Sequence, residues 1–235
     1  MSSFRYHPQV VKRFPHMRAG VIIARGMKNS QTSVELREAY IQEQENTANR
    51  IGNKPLSEIE ALAAWRGAFR EFGVNPTKYR CAPEALLRRL TKKGDIPSIN
   101  SVVDICNLVS IRYAIAAASF DTRALSGDVT VRFADGSEKY TPLGEKEVIS
   151  PESGEVIFVD ANGLVIARRW CWRQSQESAT QIYTSDAIFT LEAQYAGCLP
   201  QVEGALNDLL GLLDRYIGGN FIYEILGPDQ YSITG

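Results

Sequence analysis

At about Ser126 the chain changes its hydrophobic period, and that change limits the folds open to it. Before it, apolar residues recur at helical steps. In "LSEIEALAAWRGAFREFG", Ile59, Leu62, Trp65, Phe69 and Phe72 form one stripe on a helix stopped by Gly73. Ser57 before Glu60, and Thr32 before Glu35 in "TSVELREAYIQEQENTANRIG", have the spacing of a capping box. "APEALLRRLTKKG" has Pro83 near its start and Gly94 just past its end, and "IPSINSVVDICNLVSIRYA" is the most apolar helix. After Ser126, β-branched runs surround Asp135-Gly136 and Asn162-Gly163, both hairpin dipeptides. "AGVIIARGM", "SDAIFTLEAQY" and "NFIYEIL" read as further strands, with a helix in "PQVEGALNDLLGLLDRYIGG". This order predicts an α+β fold: a single compact domain over residues 1–235, its helices packed on a mainly antiparallel β-sheet.

Composition narrows the function classes. A formal net charge of -1 gives no global demand for a polyanionic partner, although a local basic patch remains open. Cys81, Cys106, Cys171 and Cys198 contain no C-x-x-C pair, so no metal site is expected and the thiols read as reduced, in a cytoplasmic protein. "MSSFRYHPQVVKRFPH" lacks the apolar run of a signal peptide, and no stretch approaches the ~20 apolar residues that span a bilayer. No membrane partner and no cofactor is expected.

Four stretches carry candidate chemistry. Asn100, Asp104 and Asn107 share one face of an apolar helix; they are either a satisfied core network or the edge of a wet pocket. Lys78, Arg80, Arg88, Arg89, Lys92 and Lys93, against the single acid Glu84, form either a phosphate-binding patch or a solvated helix face. "ARRWCWRQS", if it runs as a strand, puts Trp170 and Trp172 on one side and Arg169, Cys171 and Arg173 on the other. Those tryptophans read as core or as a stacking surface. Glu192 is the one acid in "AIFTLEAQY", facing either solvent or a pocket. His7 and His16 are the only histidines, and no G-x-S-x-G, H-E-x-x-H or P-loop pattern occurs.

The blocks "PEALLRRL", "IPSINSVVDICNLVSIRYAIAAASFD", "GDVTVRFADGSE", "GEVIFVDANGLVIARRW" and "FTLEAQY", in that order, resemble the B3/B4 domain of the phenylalanyl-tRNA synthetase beta subunit. The family-like core runs from about 83 to 193, preceded by a helical extension at about 31–73. In the synthetase this domain hydrolyses tyrosine wrongly esterified to tRNA. The resemblance implies that Asn107 matches the family's pocket asparagine and Cys106 its threonine. Glu192 matches the glutamate that recognises the tyrosine hydroxyl. The small-residue pocket turn falls on Ala167 to Trp172, so Ala167, Arg168, Trp170 and Trp172 are implied substrate-binding positions. The family histidine falls on Ala118, so no histidine role is implied.

Two readings follow. One is a freestanding deacylase of mischarged aminoacyl-tRNA, with Asn107 as an orienting catalytic residue and the six cations on tRNA phosphates. The other is a non-catalytic module holding an amino acid or another small ligand in the same pocket, its anionic group on Arg168 or Arg173. A protein-interaction module is a third, weaker reading.

Overall fold

The computed structural model describes residues 3–235. Two sheets form. One has four antiparallel strands, in the order β3 (Ala116–Asp121), β8 (Ala187–Ala193), β2 (Arg18–Arg25) and β9 (Asn220–Leu226). The other has six, in the order β10 (Ser232–Thr234), β1 (Ser3–Tyr6), β4 (Val129–Phe133), β5 (Val156–Val159), β6 (Val165–Arg168) and β7 (Arg173–Gln174). The α+β class is as the sequence predicts, but the strands divide between two sheets, and β1 joins β4 in parallel.

Helices cover these sheets: α1 (Pro8–Arg13), α2 (Val34–Ile51), α3 (Glu60–Glu71), α4 (Ala82–Lys93), α5 (Ser101–Tyr113) and α6 (Leu199–Tyr216). α6 lies on β2 and β8, whereas α5 packs against α2, α6 and β3. α4 ends at Gly94 in the left-handed region, φ 83°, which a residue without Cβ enters freely. No helix among the described residues is long and apolar enough to cross a membrane.

Several local expectations change. Ser33, not Thr32, caps α2, its hydroxyl accepting from Leu36 N at 3.2 Å. Thr32 is drawn away because its hydroxyl donates to buried Asp104 at 2.6 Å. Ser57 lies in a short 3-10 turn, Leu56–Glu58, and α3 starts after Ile59 without a side-chain cap. Asn162-Gly163 does close the β5–β6 hairpin, with Asp160 Oδ1 accepting from Asn162 N and Leu164 N. Asp135-Gly136 does not join two adjacent strands. Asp135 instead folds onto Ser137, and buried Glu138 takes the Asp135 and Gly136 amides. The chain returns only at β5, after a long loop.

Candidate active site

Glu192 sits near the end of β8, an inner strand of the four-stranded sheet, opposite Ala116 on β3 and Ala19 on β2. Every residue of β8 is buried, because both faces of the sheet are covered. Residues two apart on a strand share a face, so Thr190 accompanies Glu192, with Ala118 across from it. The run Ala116, Ala117, Ala118, Ser119 supplies little side-chain volume. A cavity of about 280 Å³ occupies that space. α4 and α5 contribute Ala85, Cys106 and Asn107 to its wall; the six-stranded sheet contributes Phe158, Ala167 and Gln174.

The polar stripe of α5 therefore divides. Asn100 caps the helix, accepting from Val103 N at 3.1 Å and donating to Thr180 O. Asp104, wholly buried, accepts from Thr32, Ser98 and Ile99 N. Both are satisfied structural groups, and only Asn107 reaches the cavity.

"ARRWCWRQS" does not run as a strand. β6 stops at Arg168, and Arg169 and Trp170 both take positive φ, 46° and 60°. Such geometry costs an L-residue on the order of 1–2 kcal/mol at each position. Tertiary contacts hold it. Trp170 N donates to Val156 O at 2.7 Å, and the indole packs edge-on against Phe14 and Trp65 at centroid distances of 5.0 and 5.3 Å. The Arg169 guanidinium lies 3.8 Å from the Tyr79 ring centroid and 4.6 Å from that of Trp172. The turn therefore separates the tryptophans: Trp170 enters the core, while Trp172 stays half-buried beside Tyr79.

Arg168 also departs from expectation. It is buried away from the cavity in a two-pronged pair with Glu155, Nε–Oε1 2.6 Å and Nη2–Oε2 2.9 Å. Two buried oxygens facing a planar guanidinium make a strong geometric match, which removes Arg168 from ligand contact. Arg173 occupies the cavity mouth instead.

The floor is polar. Tyr6 Oη donates to Glu192 Oε1 at 2.5 Å, and Trp170 Nε1 donates to the same oxygen at 2.7 Å. No protein hydrogen bond reaches Oε2 among the described residues. Burial pushes the Glu192 carboxyl up to about 7, the two donors opposing that rise. Burial and the nearby Glu192 push the Tyr6 phenol well up, so it stays a donor. Burial likewise pushes the Cys106 thiol up to about 12 against the hydrogen bond with Ser119. Tyr6 and Thr190 are site residues that sequence reasoning missed, and neither carried a signal of its own. Of the two arginines expected to face a ligand's anionic group, Arg173 lines the cavity and Arg168 does not.

A second depression, of about 460 Å³, adjoins the first and shares Ala85, Trp172 and Arg173 with it. Lys78, Arg80, Arg88, Arg89, Lys92 and Lys93 all line it. Glu84, the acid among them in sequence, is buried beneath and paired with Arg66 at 2.8 Å. The acid is thus turned inward and the cations outward. Arg89 pairs with Asp95 at 3.3 Å and Arg80 lies 3.9 Å from Glu84; the others have no acidic partner within 4.0 Å among the described residues.

The family model of the B3/4 domain matches residues 64–196. The chain belongs to the B3/4 domain family. Every residue lining the cavity of this B3/4 domain falls inside the matched span, whereas Tyr6 comes from outside it. Phenylalanine–tRNA ligase beta subunits are similar to it. That of Shewanella oneidensis is 33% identical over 94 residues, 40% of this chain and 12% of that protein. That of Geobacter metallireducens is 36% identical over 87 residues, 37% of this chain and 11% of that protein. The chain thus matches only a small part of the length of these relatives. It also resembles an N-terminal fragment of the phenylalanyl-tRNA synthetase beta-subunit from Pyrococcus horikoshii. That likeness has a TM-score of 0.48 and 13% identity, over 98% of this chain and 53% of that one.

Proposed function

We propose that this B3/4 domain hydrolyses the ester of mischarged aminoacyl-tRNA in trans. One observation carries the reading: a cavity of amino-acid size, with a carboxyl on its floor, opens into a groove lined by cations. The groove would follow the phosphates near the 3′ end, and half-buried Trp172 at the junction offers a face for a terminal base. The aminoacyl group would enter the cavity toward Glu192. Water adds to the ester carbonyl, and the tetrahedral intermediate expels the ribose hydroxyl, giving free amino acid and tRNA. Asn107 orients the acyl group or the water. Cys106 is held as a neutral thiol and offers no thiolate, which supports direct attack by water over a covalent intermediate.

A second reading is favoured by the histidines. His7 caps α1 and His16 lies in an exposed turn, so neither lines the cavity, and Ala118 stands at the family's histidine position. On that reading the same pocket holds an amino acid or another small ligand without hydrolysis.

Incubation with a complete set of aminoacyl-tRNAs separates them. Release of amino acid from at least one mischarged species, at a rate above spontaneous hydrolysis, is the expected result. No release from any member, with a melting temperature raised by a free amino acid, selects the binding module.

A further inference from the structure

β3 is an outermost strand of the four-stranded sheet, and its free edge borders the cavity. Residues 116–120 all line it, although consecutive residues of a strand face opposite sides. A space that meets all five lies against the edge of the strand. α4 and α5 flank it on one side and the six-stranded sheet on the other.

The register fixes which backbone groups point there. Thr122 N donates to Asp186 O at 3.2 Å, continuing the ladder to β8, while Asp121 N donates the other way, to Ser178 O at 2.9 Å. In an antiparallel ladder the N–H and C=O of one residue point to the same side, and alternate residues to opposite sides. Ser119 and Ala117 therefore share the direction of Asp121, off the sheet. Ser119 C=O is filled, by Thr180 Oγ1 at 3.1 Å and Gln174 Nε2 at 3.5 Å. Beyond it, Ser119 N–H, Ala117 C=O and Ala117 N–H have no protein partner among the described residues. Backbone groups held away from bulk water are normally paired, so an open run of three at a cavity wall points to a ligand. Ser119 is buried, whereas Ala117 is only half-buried and stands next to Ala116, the residue across from Glu192. The accessible donor of this edge is Ala117 N–H.

We propose that Ala117 N–H donates to the carbonyl oxygen of the bound acyl group and holds that oxygen as it becomes negatively charged. Arg173, at the mouth, is the only cation among the described residues lining the cavity, and no histidine lines it. A fixed, neutral amide does not titrate and needs no reorganisation when charge develops beside it. Ser119 N–H lies about 7 Å further along the strand, too far to share the same oxygen. As water forms its bond to the acyl carbon, the carbonyl π pair moves onto the oxygen facing Ala117 N–H. It returns as the bond to the ribose oxygen breaks, and the proton lost by the water ends on that ribose oxygen. The amide keeps its own proton throughout. This inference rests on the cavity being the acyl-binding site of the proposed function, but the ground-state hydrogen bond does not depend on hydrolysis.

The test removes the N–H and nothing else. Cell-free synthesis places L-lactic acid at position 117, so that an ester oxygen replaces the N–H while the methyl group stays. The control is the same change at Ala24, on inner strand β2, which has a partner strand on each side. Three quantities are measured: deacylation across the set of aminoacyl-tRNAs, binding of non-hydrolysable 3′-amino-3′-deoxyadenosine amides of amino acids, and thermal unfolding. Ala117→lactic acid is expected to lower kcat/KM about 100-fold or more and to weaken the amides about tenfold, with the wild-type melting temperature, since no ladder bond is lost. Ala24→lactic acid is expected to lower the melting temperature and to leave kcat/KM within about twofold. Rates and amide affinities unchanged in Ala117→lactic acid, or lowered equally by both replacements, overturn the role of Ala117 alone. Amide affinity lowered by Ala117→lactic acid only, with no tRNA deacylated by the wild type, overturns the hydrolytic function alone. Neither deacylation nor amide binding by the wild type overturns both.

Discussion

Tyr6 and Glu192 share one short hydrogen bond, 2.5 Å long, between a strand of one sheet and an inner strand of the other. It places a phenol from outside the family's matched span against the only carboxyl among the cavity-lining residues. The ionisation of Glu192 is therefore tied to how the two sheets meet.

Glu192 titrates near 7 in the fold, against an ordinary value of 4.5. A carboxyl raised in this way favours the fold in its protonated form. Its contribution is fully present below the unfolded value and is lost as pH rises through 7, on the order of 3 kcal/mol in all. Glu192→Gln keeps an oxygen for both donors and does not ionise. Urea unfolding at pH 5 and pH 8.5 is expected to give the variant no advantage at the lower pH and a clear one at the higher. Parallel pH profiles for the two proteins would contradict the assignment.

Tyr6→Phe removes a donor that holds the Glu192 carboxyl down. The carboxyl then rises above its wild-type value. The variant loses about 1–2 kcal/mol of stability, more at pH 8.5 than at pH 5, because it is the charged form that loses its partner. Denaturant melts at the two pH values read this directly; a loss of equal size at both would contradict it.

Arg168→Ala strips the two-pronged partner from a buried carboxylate. Arg169 Nε, at 3.4 Å from Glu155 Oε2, replaces only part of that pairing. A loss of about 3–5 kcal/mol is expected in chemical denaturation. Arg168→Met, paired with Glu155→Leu, should recover much of it. Binding of non-hydrolysable 3′-amino-3′-deoxyadenosine amides of amino acids should stay as in the wild type where the protein folds, since Arg168 lies away from the cavity.

Charge reversal at Arg88 and Lys92 targets groove cations without an acidic partner among the described residues. tRNA affinity is expected to fall, and the slope of log affinity against log salt to become shallower by roughly one for each phosphate no longer neutralised. Filter binding across a salt series measures both. An affinity and a slope equal to those of the wild type would remove the groove from tRNA recognition.

Much of the fold could be read from local pattern. The apolar stripe of α3 and the Gly94 stop of α4 depend on neighbours in sequence, and they form as spaced. The failures have one physical origin, competition from distant groups. Thr32 has the right spacing for a cap, but buried Asp104 claims its hydroxyl. Alternation predicted Trp170 and Trp172 on one face, but packing of Trp170 against Phe14 and Trp65 pulls the chain into left-handed geometry. β1 has four residues, and its pairing with β4 is parallel and remote, so no local period marks it. The site was legible where residue type carries its own signal, as Glu192 does within an apolar strand. Thr190 was not, because a threonine in a strand is ordinary until its hydroxyl is seen to lack a partner.

The position of β1 between β4 and β10 has a consequence for vectorial synthesis. Phe4 pairs with Val129 on one side and with Ile233 on the other. During translation the Tyr6 strand emerges before either neighbour, and β10, the second of them, follows all six helices and the other strands. The helices can pack while synthesis continues; the floor of the pocket is among the last parts to be sealed.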